Sequence, residues 1–427
     1  MRQQGRISVE VDETDAALTN FPGLAPLANF GEGLELFEDV EALMSPKERD
    51  RGYSNSEALF DLMGLGLSGA DRIDDLEHAR RDEGRKRLLE RSPLAPSTAH
   101  DFLRRHRYDG LEALGGVNHR LLRRVASRAG VTTATLDCDA SLFSSTGRDA
   151  RMSYKGEAGY MPMLAFWAEL GVALYDDFRN GNVAPGAEAL HFLKQALAQL
   201  PPEVSQVFVR ADAAWFIAAL LDYCHERGIG FSVSARMDEA VREAIQAVPA
   251  HAWRRLEQAG QGEAEEDDPE EVAETVHTLN DSRHAYRLII IRKKTRGQLE
   301  LHDGPYTYHA IITNMDLPAG EHAAWHRQRG QAENQIGELK WDFATRVLPS
   351  GDFFVNALFL KIMILAFNLF AAFKRLVLPK PWRPLRLKSV LHRLLGLPAL
   401  VVRHARRRWL KLPRDHPNLA LFRQALG

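Results

Sequence analysis

The sequence has little cysteine: its 427 residues include only Cys138 and Cys224. Two thiols cannot build a disulfide framework or a cysteine-rich zinc site, and such scarcity is typical of proteins from reducing compartments. Walker A, HExxH and Cys-x2-Cys patterns are also missing. No N-terminal segment pairs a basic region with an apolar stretch, because Glu10, Asp12, Glu13 and Asp15 follow early in the chain, so we expect no secretion signal and a cytoplasmic protein.

Long apolar runs are rare as well. The strongest, residues 353–373, contains Asn356, Lys361 and Asn368 and has no second span beside it. A membrane-spanning helix usually carries few such side chains. The run therefore predicts a buried core helix, and we expect no membrane partner.

Charge is distributed unevenly along the chain. The formal net charge is -2, yet residues 374–427 hold fourteen Lys or Arg against one acid, Asp415. That segment carries +13 and the remainder -15. A basic segment on an acidic body is typical of binding to phosphate backbones, nucleic acid first and membrane surfaces second. A solvated basic face packed against the acidic body remains an alternative.

The spacing of apolar residues divides the chain into regions. Residues 1–128 show the three- and four-residue spacing of helices, which predicts either a DNA-binding helical domain or a plain helical scaffold. From residue 129 the pattern changes to short β-branched runs. These predict the element order β-β-β-α-β-α-β, with strands at TATLDCD, YMPMLAFWA, GVALYDDF, QVFVRAD and GFSVSA.

That order predicts the fold. Three strands precede the first helix, which is the connection order of an RNase H-like core, whereas a doubly wound nucleotide fold alternates strand and helix from the start. The expected class is mixed α/β (α+β). The catalytic core comprises residues 129–236 and 321–378, interrupted by a β-rich insertion at 237–320 that includes an acidic run at 262–271. Residues 379–427 form a basic helical tail.

Three aspartates lie on two strands that such a sheet makes neighbours. Asp137 and Asp139 point to one face of the first strand, and Asp212 ends the fourth strand. Charges inside an apolar strand are costly unless paired or metal-bound. Phosphodiester chemistry commonly uses two divalent ions about 3.5 to 4 Å apart held by carboxylates. Asp139, nearer the strand end, is the preferred first ligand, with Asp137 as second candidate.

A third carboxylate is predicted by helical periodicity. On a continuous helix, His326, Arg329, Glu333 and Lys340 share one polar stripe beside an apolar stripe that contains Ile336 and Leu339. Glu338 falls on the other side, which we expect to be solvated. An ordinary Arg329–Glu333 pair on a surface helix is the alternative.

These motifs resemble a known family. The spacing His326-x2-Arg329-x3-Glu333-x6-Lys340 is similar to the Tyr-x2-Arg-x3-Glu-x6-Lys signature of the insertion sequence 4 superfamily of transposases, with histidine in place of tyrosine. Asp139-x-Ser141 and Asp212-Ala-Ala-Trp215 resemble its two aspartate motifs. Within it, the chain looks most like the insertion sequence 1380 family, from the ordered segments LDCDAS, YKGEAGYMPMLAF, FRNGN, VRADAAW, FSVSAR and RGQAENQIGELK. Met161 departs from that family's usual histidine.

The resemblance implies a nucleoid-associated DNA transposase that binds terminal inverted repeats of double-stranded DNA, then cuts and joins strands as a homodimer. Asp139, Asp212 and Glu333 would be both catalytic residues and ligands of two Mg²⁺ ions, for which Mn²⁺ can substitute. The expected DNA-binding residues are Arg329, Lys340, His326, Trp253, Arg254 and Lys155. Trp253 would stack on a flipped base unless it is an anchored core residue. A nuclease or resolvase that does not join strands, and an inactivated DNA-binding derivative, are the alternatives.

Overall fold

The computed structural model describes residues 11–47, 52–256, 270–294, 306–405 and 407–426. Most of the acidic run, residues 262–269, lies outside the described residues. The helices are α1 (Leu24–Glu32), α2 (Leu36–Leu43), α3 (Asn55–Leu67), α4 (Leu76–Arg81), α5 (Glu83–Leu89), α6 (Pro96–Arg105), α7 (Asp109–Ala129), α8 (Ala189–Ala198), α9 (Ala218–Glu226), α10 (Glu239–Gln246), α11 (Ala319–Arg327), α12 (Gly330–Asp342), α13 (Phe353–Leu376), α14 (Leu387–Val390) and α15 (Leu419–Leu426).

The described strands range from two to nine residues in length. They are β1 (Leu18–Thr19), β2 (Thr133–Ala140), β3 (Phe143–Ser144), β4 (Arg151–Met152), β5 (Ala158–Tyr160), β6 (Met163–Trp167), β7 (Val172–Asp177), β8 (Gln206–Ala211), β9 (Gly230–Ser234), β10 (Arg254–Arg255), β11 (Glu271–His277), β12 (Tyr286–Lys294), β13 (Tyr306–Thr313), β14 (Ala399–His404) and β15 (Arg407–Lys411).

The region before β2 is built mainly from helices, as the apolar spacing predicts. α3 begins at a capping box: the Ser54 hydroxyl accepts from the Glu57 amide, and the Glu57 carboxylate accepts from the Ser54 amide. α7 ends at Gly130, whose φ of 62° suits the left-handed helix cap. α3 and α7 both pack against α13, so this region and the core share one hydrophobic interior.

The core strands lie in the order β7-β6-β2-β8-β9. β6 runs antiparallel to β2 and β7, whereas β8 is parallel to β2 and β9 is parallel to β8. α8 connects β7 to β8, and α9 connects β8 to β9. The predicted order β-β-β-α-β-α-β and the RNase H-like arrangement are confirmed. In the central strand β2 the apolar residues Ala134, Leu136 and Cys138 are completely buried.

The insertion continues this sheet rather than forming another. β13 pairs antiparallel with β9, and β12, β11 and β10 follow in turn, which gives nine strands in all. The Thr313 hydroxyl donates to the Phe231 carbonyl at 2.6 Å, and Asn314 hydrogen-bonds the Phe231 amide and the Ile229 carbonyl. These side chains join the insertion to the edge of the core.

The apolar run predicted to be a core helix is α13. Its composition and length would also allow a membrane span, but 83% of the relevant window is buried inside the protein. Its polar residues have partners: Asn368 accepts from the Ala173 amide at 2.7 Å and donates to Asn118, and Lys361 pairs with Asp176 at 2.6 Å. The core-helix prediction is confirmed.

The basic C-terminal segment is packed onto the body and is only partly helical. Besides α14, a π-helical turn at Leu391–Leu395 and α15, it contains β14 and β15, and β14 pairs with β1 to form the sheet β1-β14-β15. Its apolar side chains Leu387, Leu394 and Phe422 lie in the main core cluster. The segment is therefore an integral layer of the protein, with strands that helical spacing did not predict.

Candidate active site

Asp139 and Asp212 lie side by side where two parallel strands end. The β2–β8 ladder pairs Asp137 with Arg210 and then Cys138 with Ala211, so the next residue of each strand is an aspartate. Each carboxylate is oriented by a nearby amide: Asp139 accepts from Ala140 at 2.8 Å, and Asp212 caps the following 3-10 turn by accepting from Ala214 at 3.0 Å. The sheet thus brings the two predicted ligands together.

Burial and nearby negative charges raise the pKa of Asp139 to about 6. Burial is the largest cause, and the negative charge of Asp212 adds to it; Arg329 acts in the opposite direction, and Glu333 raises the pKa further. The negative charges of both other carboxylates of the predicted triad therefore raise the pKa of Asp139. Such a carboxylate is less stable as an anion than it would be in water, and a bound cation would remove that penalty.

Asp137 has a different environment. Its carboxylate receives two hydrogen bonds from Arg210, Nε to Oδ1 at 2.6 Å and Nη2 to Oδ2 at 2.8 Å, and both side chains are buried. Burial raises the pKa of Asp137, and Arg210 lowers it. With both oxygens occupied by a guanidinium, Asp137 serves an internal ion pair and not the metal site for which it was the second candidate.

The helix that carries Glu333 is broken near its beginning. α11 ends at Arg327 and α12 begins at Gly330, whereas the polar stripe assumed one continuous helix. The Trp325 carbonyl accepts from Arg210 Nη1 at 2.7 Å and from the Gln328 amide, which replaces the regular helical partner four residues ahead. Gly330, a weak helix former, follows directly. The single-helix expectation is wrong here.

Arg329 and Glu333 remain in contact despite the break between α11 and α12. Arg329 Nη2 donates to Glu333 Oε1 at 3.2 Å, and the Glu333 side chain is 60% exposed while that of Arg329 is 19% exposed. Glu333 is thus accessible to a ligand. The alternative prediction, an ordinary Arg329–Glu333 pair on a surface helix, describes this contact correctly. Because the charges of both residues also affect the pKa of Asp139, the pair lies near the aspartates.

Lys340 lies beside the first aspartate motif. Its Nζ donates to the Ser141 hydroxyl at 2.6 Å and to the Leu142 carbonyl at 2.7 Å, and it sits over the Phe143 ring. Burial lowers its pKa to about 8; the nearby charge of Lys155 lowers it further, and Asp139 raises it. Of the two expected DNA-binding lysines, Lys340 therefore lies near Asp139, and exposed Lys155 lies near Lys340.

The histidine predicted to share the polar stripe and to face DNA is enclosed instead. His326 is buried, its Nδ1 hydrogen-bonds the Ser232 hydroxyl at 2.8 Å, and its Nε2 hydrogen-bonds Ser234 at 3.1 Å. Burial lowers its pKa to about 3, helped by nearby His309 and Arg329. A neutral, enclosed imidazole cannot contact DNA, so His326 holds α11 against β9 instead. The helix break explains the error, because it changes how α11 faces the sheet.

The assignment of Glu338 to a solvated surface is also wrong. Its side chain is buried, and its carboxylate accepts from the Leu387 amide at 2.7 Å. Burial raises its pKa, which Lys374 lowers. The C-terminal segment covers this side of α12, and sequence periodicity alone could not show that cover.

Trp253 belongs to an aromatic cluster on the insertion. The Arg292 guanidinium lies 4.0 Å from the centre of the Trp253 ring and 4.4 Å from that of Tyr306, and Arg292 also pairs with Glu271 at 2.7 Å. Trp253 is partly buried, whereas Arg254 is exposed. Its ring therefore packs on an arginine in this structure.

The donor set suits a hard divalent cation. Asp139, Asp212 and Glu333 offer carboxylate oxygens, which Mg²⁺ prefers, and Mg²⁺ keeps several waters and needs few protein ligands. Within the described ranges, no three His, Cys, Asp or Glu side chains converge closely enough to enclose an ion by themselves. The carboxylate chemistry of Asp139, Asp212 and Glu333 therefore fits Mg²⁺, but this part of the chain does not bring all three together as one set of ligands.

Sequence reasoning missed Arg210. The sequence did contain a signal for this pair. Arg210 follows Asp137 by the same number of residues that separates Asp212 from Asp139. A strand register that brings Asp139 beside Asp212 therefore also brings Asp137 beside Arg210. The arginine sits inside an apolar strand, where a charge requires a partner.

Comparison with known proteins gives a family for the whole chain. A search of curated proteins gave no match. Among solved structures, the chain is similar to a piggyBac transposase in a synaptic complex with hairpin DNA, with 12% identity, a TM-score of 0.48 and coverage of 88% of this chain and 80% of that one. The model of transposase DDE domain group 1 matches residues 1–427. The chain therefore belongs to the family of transposases with a DDE domain of group 1.

Proposed function

We propose that this chain is the DNA transposase of an insertion sequence of the 1380 family. It binds the terminal inverted repeats of its element, cuts the DNA strands there and joins the ends to a new site. The membership in a DDE transposase family supports the general activity. The ordered motifs LDCDAS, VRADAAW and RGQAENQIGELK support the finer assignment.

The main observation that supports the proposal is the position at which the hydrogen-bonded ladder between β2 and β8 ends. It makes Asp139 and Asp212 neighbours, and the raised pKa of Asp139, about 6, follows from burial and from the charges of Asp212 and Glu333. Coupled carboxylates whose ionisation is disfavoured are typical of functional sites. A purely structural aspartate would more often be paired, as Asp137 is.

We assign the metal ligands to Asp139, Asp212 and Glu333, with two Mg²⁺ ions, or Mn²⁺, as the cofactor. Bound ions of this kind neutralise charge on the attacking and leaving oxygens of a phosphodiester. Arg329, beside Glu333, is suited to bind a nearby phosphate. Lys340, fixed by Ser141 and Leu142, presents a second positive charge near Asp139.

Joining requires two element ends to be held together, so a homodimer on two DNA ends is the assembly that we propose. Exposed Lys155 and Arg254 would contact duplex DNA outside the metal site. His326 is not part of this proposed DNA surface, because its ring is enclosed by Ser232 and Ser234.

The test uses duplex DNA that carries the inverted repeats found on either side of the gene. The purified protein is incubated with these ends and a target plasmid, with Mg²⁺, with Mn²⁺ or with a chelator. We expect cleavage and joined products only with a divalent ion. Cleavage without any joining would favour the nuclease or resolvase alternative, and end binding without cleavage would favour the inactivated derivative.

A further inference from the structure

The C-terminal ribbon, the antiparallel pair β14–β15, has a charge pattern that its own fold does not explain. Its register places Arg403 opposite Arg408 and His404 opposite Arg407. Like charges directly opposite each other in a sheet are destabilising. Both Arg403 and Arg408 are largely exposed, at 67% and 46%, and each approaches the same carboxylate, Glu90, only at 3.9 and 4.0 Å.

The ribbon also exposes an aromatic ring. Trp409 is 54% exposed and lies opposite Val402 in the register. An exposed tryptophan among arginines is typical of surfaces that bind nucleic acid, because the ring packs on bases or sugars while the cations contact phosphates. Lys411 adds a further exposed cation at the end of β15.

The base of the ribbon is held firmly on the helical N-terminal region. β14 pairs with β1 through Leu400 and Leu18, and the Val401 amide donates to the Ala17 carbonyl at 2.9 Å. Arg408 Nη1 donates to the Leu88 carbonyl at 2.6 Å. The ribbon therefore has a fixed position on the N-terminal region, which favours a defined docking geometry over a flexible electrostatic tail.

We propose that the C-terminal ribbon is a docking element for duplex DNA, with Arg403 and Arg408 on phosphates at one face and Trp409, on the opposite face, against the groove wall. The inference rests on the proposed transposase function and adds a specific contact surface to it. A two-stranded ribbon fits the major groove of B-form DNA. A membrane surface fits less well, because insertion requires an extended apolar face and this ribbon exposes a single large ring.

The test compares two double variants of the full-length protein. Arg403→Gln/Arg408→Gln removes the opposed cations of the ribbon, and Lys380→Gln/Arg393→Gln removes two exposed cations of the same segment outside it. Duplex binding is measured without divalent ions over a series of salt concentrations. Two lost phosphate contacts should lower the salt slope by about 1.8, whereas the control should keep the slope of the parent.

Thermal unfolding of the same variants provides a second readout. Removing the opposed arginines ends their cross-strand repulsion but also removes the Arg408–Leu88 hydrogen bond, so the melting temperature should stay close to that of the parent while duplex affinity falls. Trp409→Phe should retain the salt slope but weaken duplex binding. Equal slopes for the ribbon variant and the parent would overturn the proposal, as would a ribbon variant that aggregates yet binds duplex normally, since the cations would then only protect the edge strand β15.

Single-stranded DNA and lipid vesicles are two further probes that distinguish duplex DNA from other binding partners of the ribbon. We expect the ribbon variant to lose more affinity for duplex than for single-stranded DNA, and to behave like the parent toward vesicles containing phosphatidylserine. A loss confined to vesicles would replace DNA by a membrane and overturn the proposal. A parent that binds duplex but never cleaves it would contradict the proposed function alone, because the ribbon is tested by binding.

Discussion

Asp137 and Arg210 face each other across the parallel β2–β8 ladder and form a buried ion pair with two hydrogen bonds, of 2.6 and 2.8 Å. The third nitrogen, Arg210 Nη1, reaches the Trp325 carbonyl at 2.7 Å, where α11 ends. One arginine thereby connects β2 and β8 to the end of α11, the helix that precedes the one carrying Glu333. The Asp137–Arg210 pair therefore links β2, β8 and α11 to one another.

The first prediction separates the two aspartates of β2. Asp137→Asn should lower the thermal stability strongly, because removing one partner of a buried ion pair costs about 3–5 kcal/mol. Asp139→Asn should abolish cleavage without lowering the melting temperature, because its ionised form is already disfavoured in the fold. Melting curves and end-cleavage assays on both variants test this. Full cleavage by Asp139→Asn would show that the wrong carboxylate was assigned.

The second prediction concerns the pH dependence of metal binding. Because the pKa of Asp139 is raised to about 6, a proton competes with the metal for this carboxylate as the pH falls through that value. The concentration of Mn²⁺ needed for half-maximal cleavage should therefore rise steeply below about pH 6. Cleavage titrations at about pH 5 and about pH 7, roughly one unit on either side of that value, would measure the shift. An unchanged Mn²⁺ requirement would contradict the prediction.

The third prediction follows from the buried histidines. Burial lowers the pKa of His322 to about 4 and of His326 to about 3, below the value of about 6.5 for an exposed imidazole. Between these values the unfolded chain binds more protons than the folded one, so stability present above pH 6.5 is lost as the pH falls.

The variant His326→Gln tests this because glutamine can hydrogen-bond Ser232 and Ser234 but does not titrate. Its melting temperature should fall less than that of the parent between neutral pH and pH 5. The salt slope of its DNA binding should equal that of the parent, since His326 is enclosed. A reduced slope would place His326 in contact with phosphate after all.

The fourth prediction compares two glutamates of α12. Glu333→Gln should eliminate metal-dependent cleavage while end binding persists, because Arg329 and Lys340 remain. Glu338→Gln should cleave normally but melt at a lower temperature, since the charge facing buried Lys374 is lost. A buried hydrogen bond or charge contact of this kind contributes about 1–3 kcal/mol. Robust cleavage by Glu333→Gln would remove α12 from the proposed site.

Much of the core could be predicted from sequence because its signals are local. Short apolar runs separated by turns gave the strand order, and apolar helical spacing gave the N-terminal helices and α13. The neighbourhood of Asp139 and Asp212 follows from that order, since an RNase H-like sheet places its first and fourth strands together. The assignment of the three carboxylates as ligands stays a prediction.

Features that depend on distant segments could not be predicted in the same way. Helical periodicity placed Glu338 in solvent and His326 beside DNA, because a single helix does not reveal what covers it. The Leu387 amide, forty-nine residues away, covers Glu338, and Ser232 and Ser234 of β9 enclose His326. Charge composition likewise gave a basic tail but not its strands or its packing.

The sequence by itself determined the order of strands and helices, the family motifs and the candidate carboxylates, because these depend on neighbouring residues. Only the tertiary structure decided which charges are free and which are paired. Asp137 and Asp139 are two residues apart on one strand. Asp137 nevertheless forms an ion pair with Arg210, whereas the negative charge of Asp212 raises the pKa of Asp139. The energy of a charge depends on burial and on the partners that folding brings to it, and sequence separation records neither.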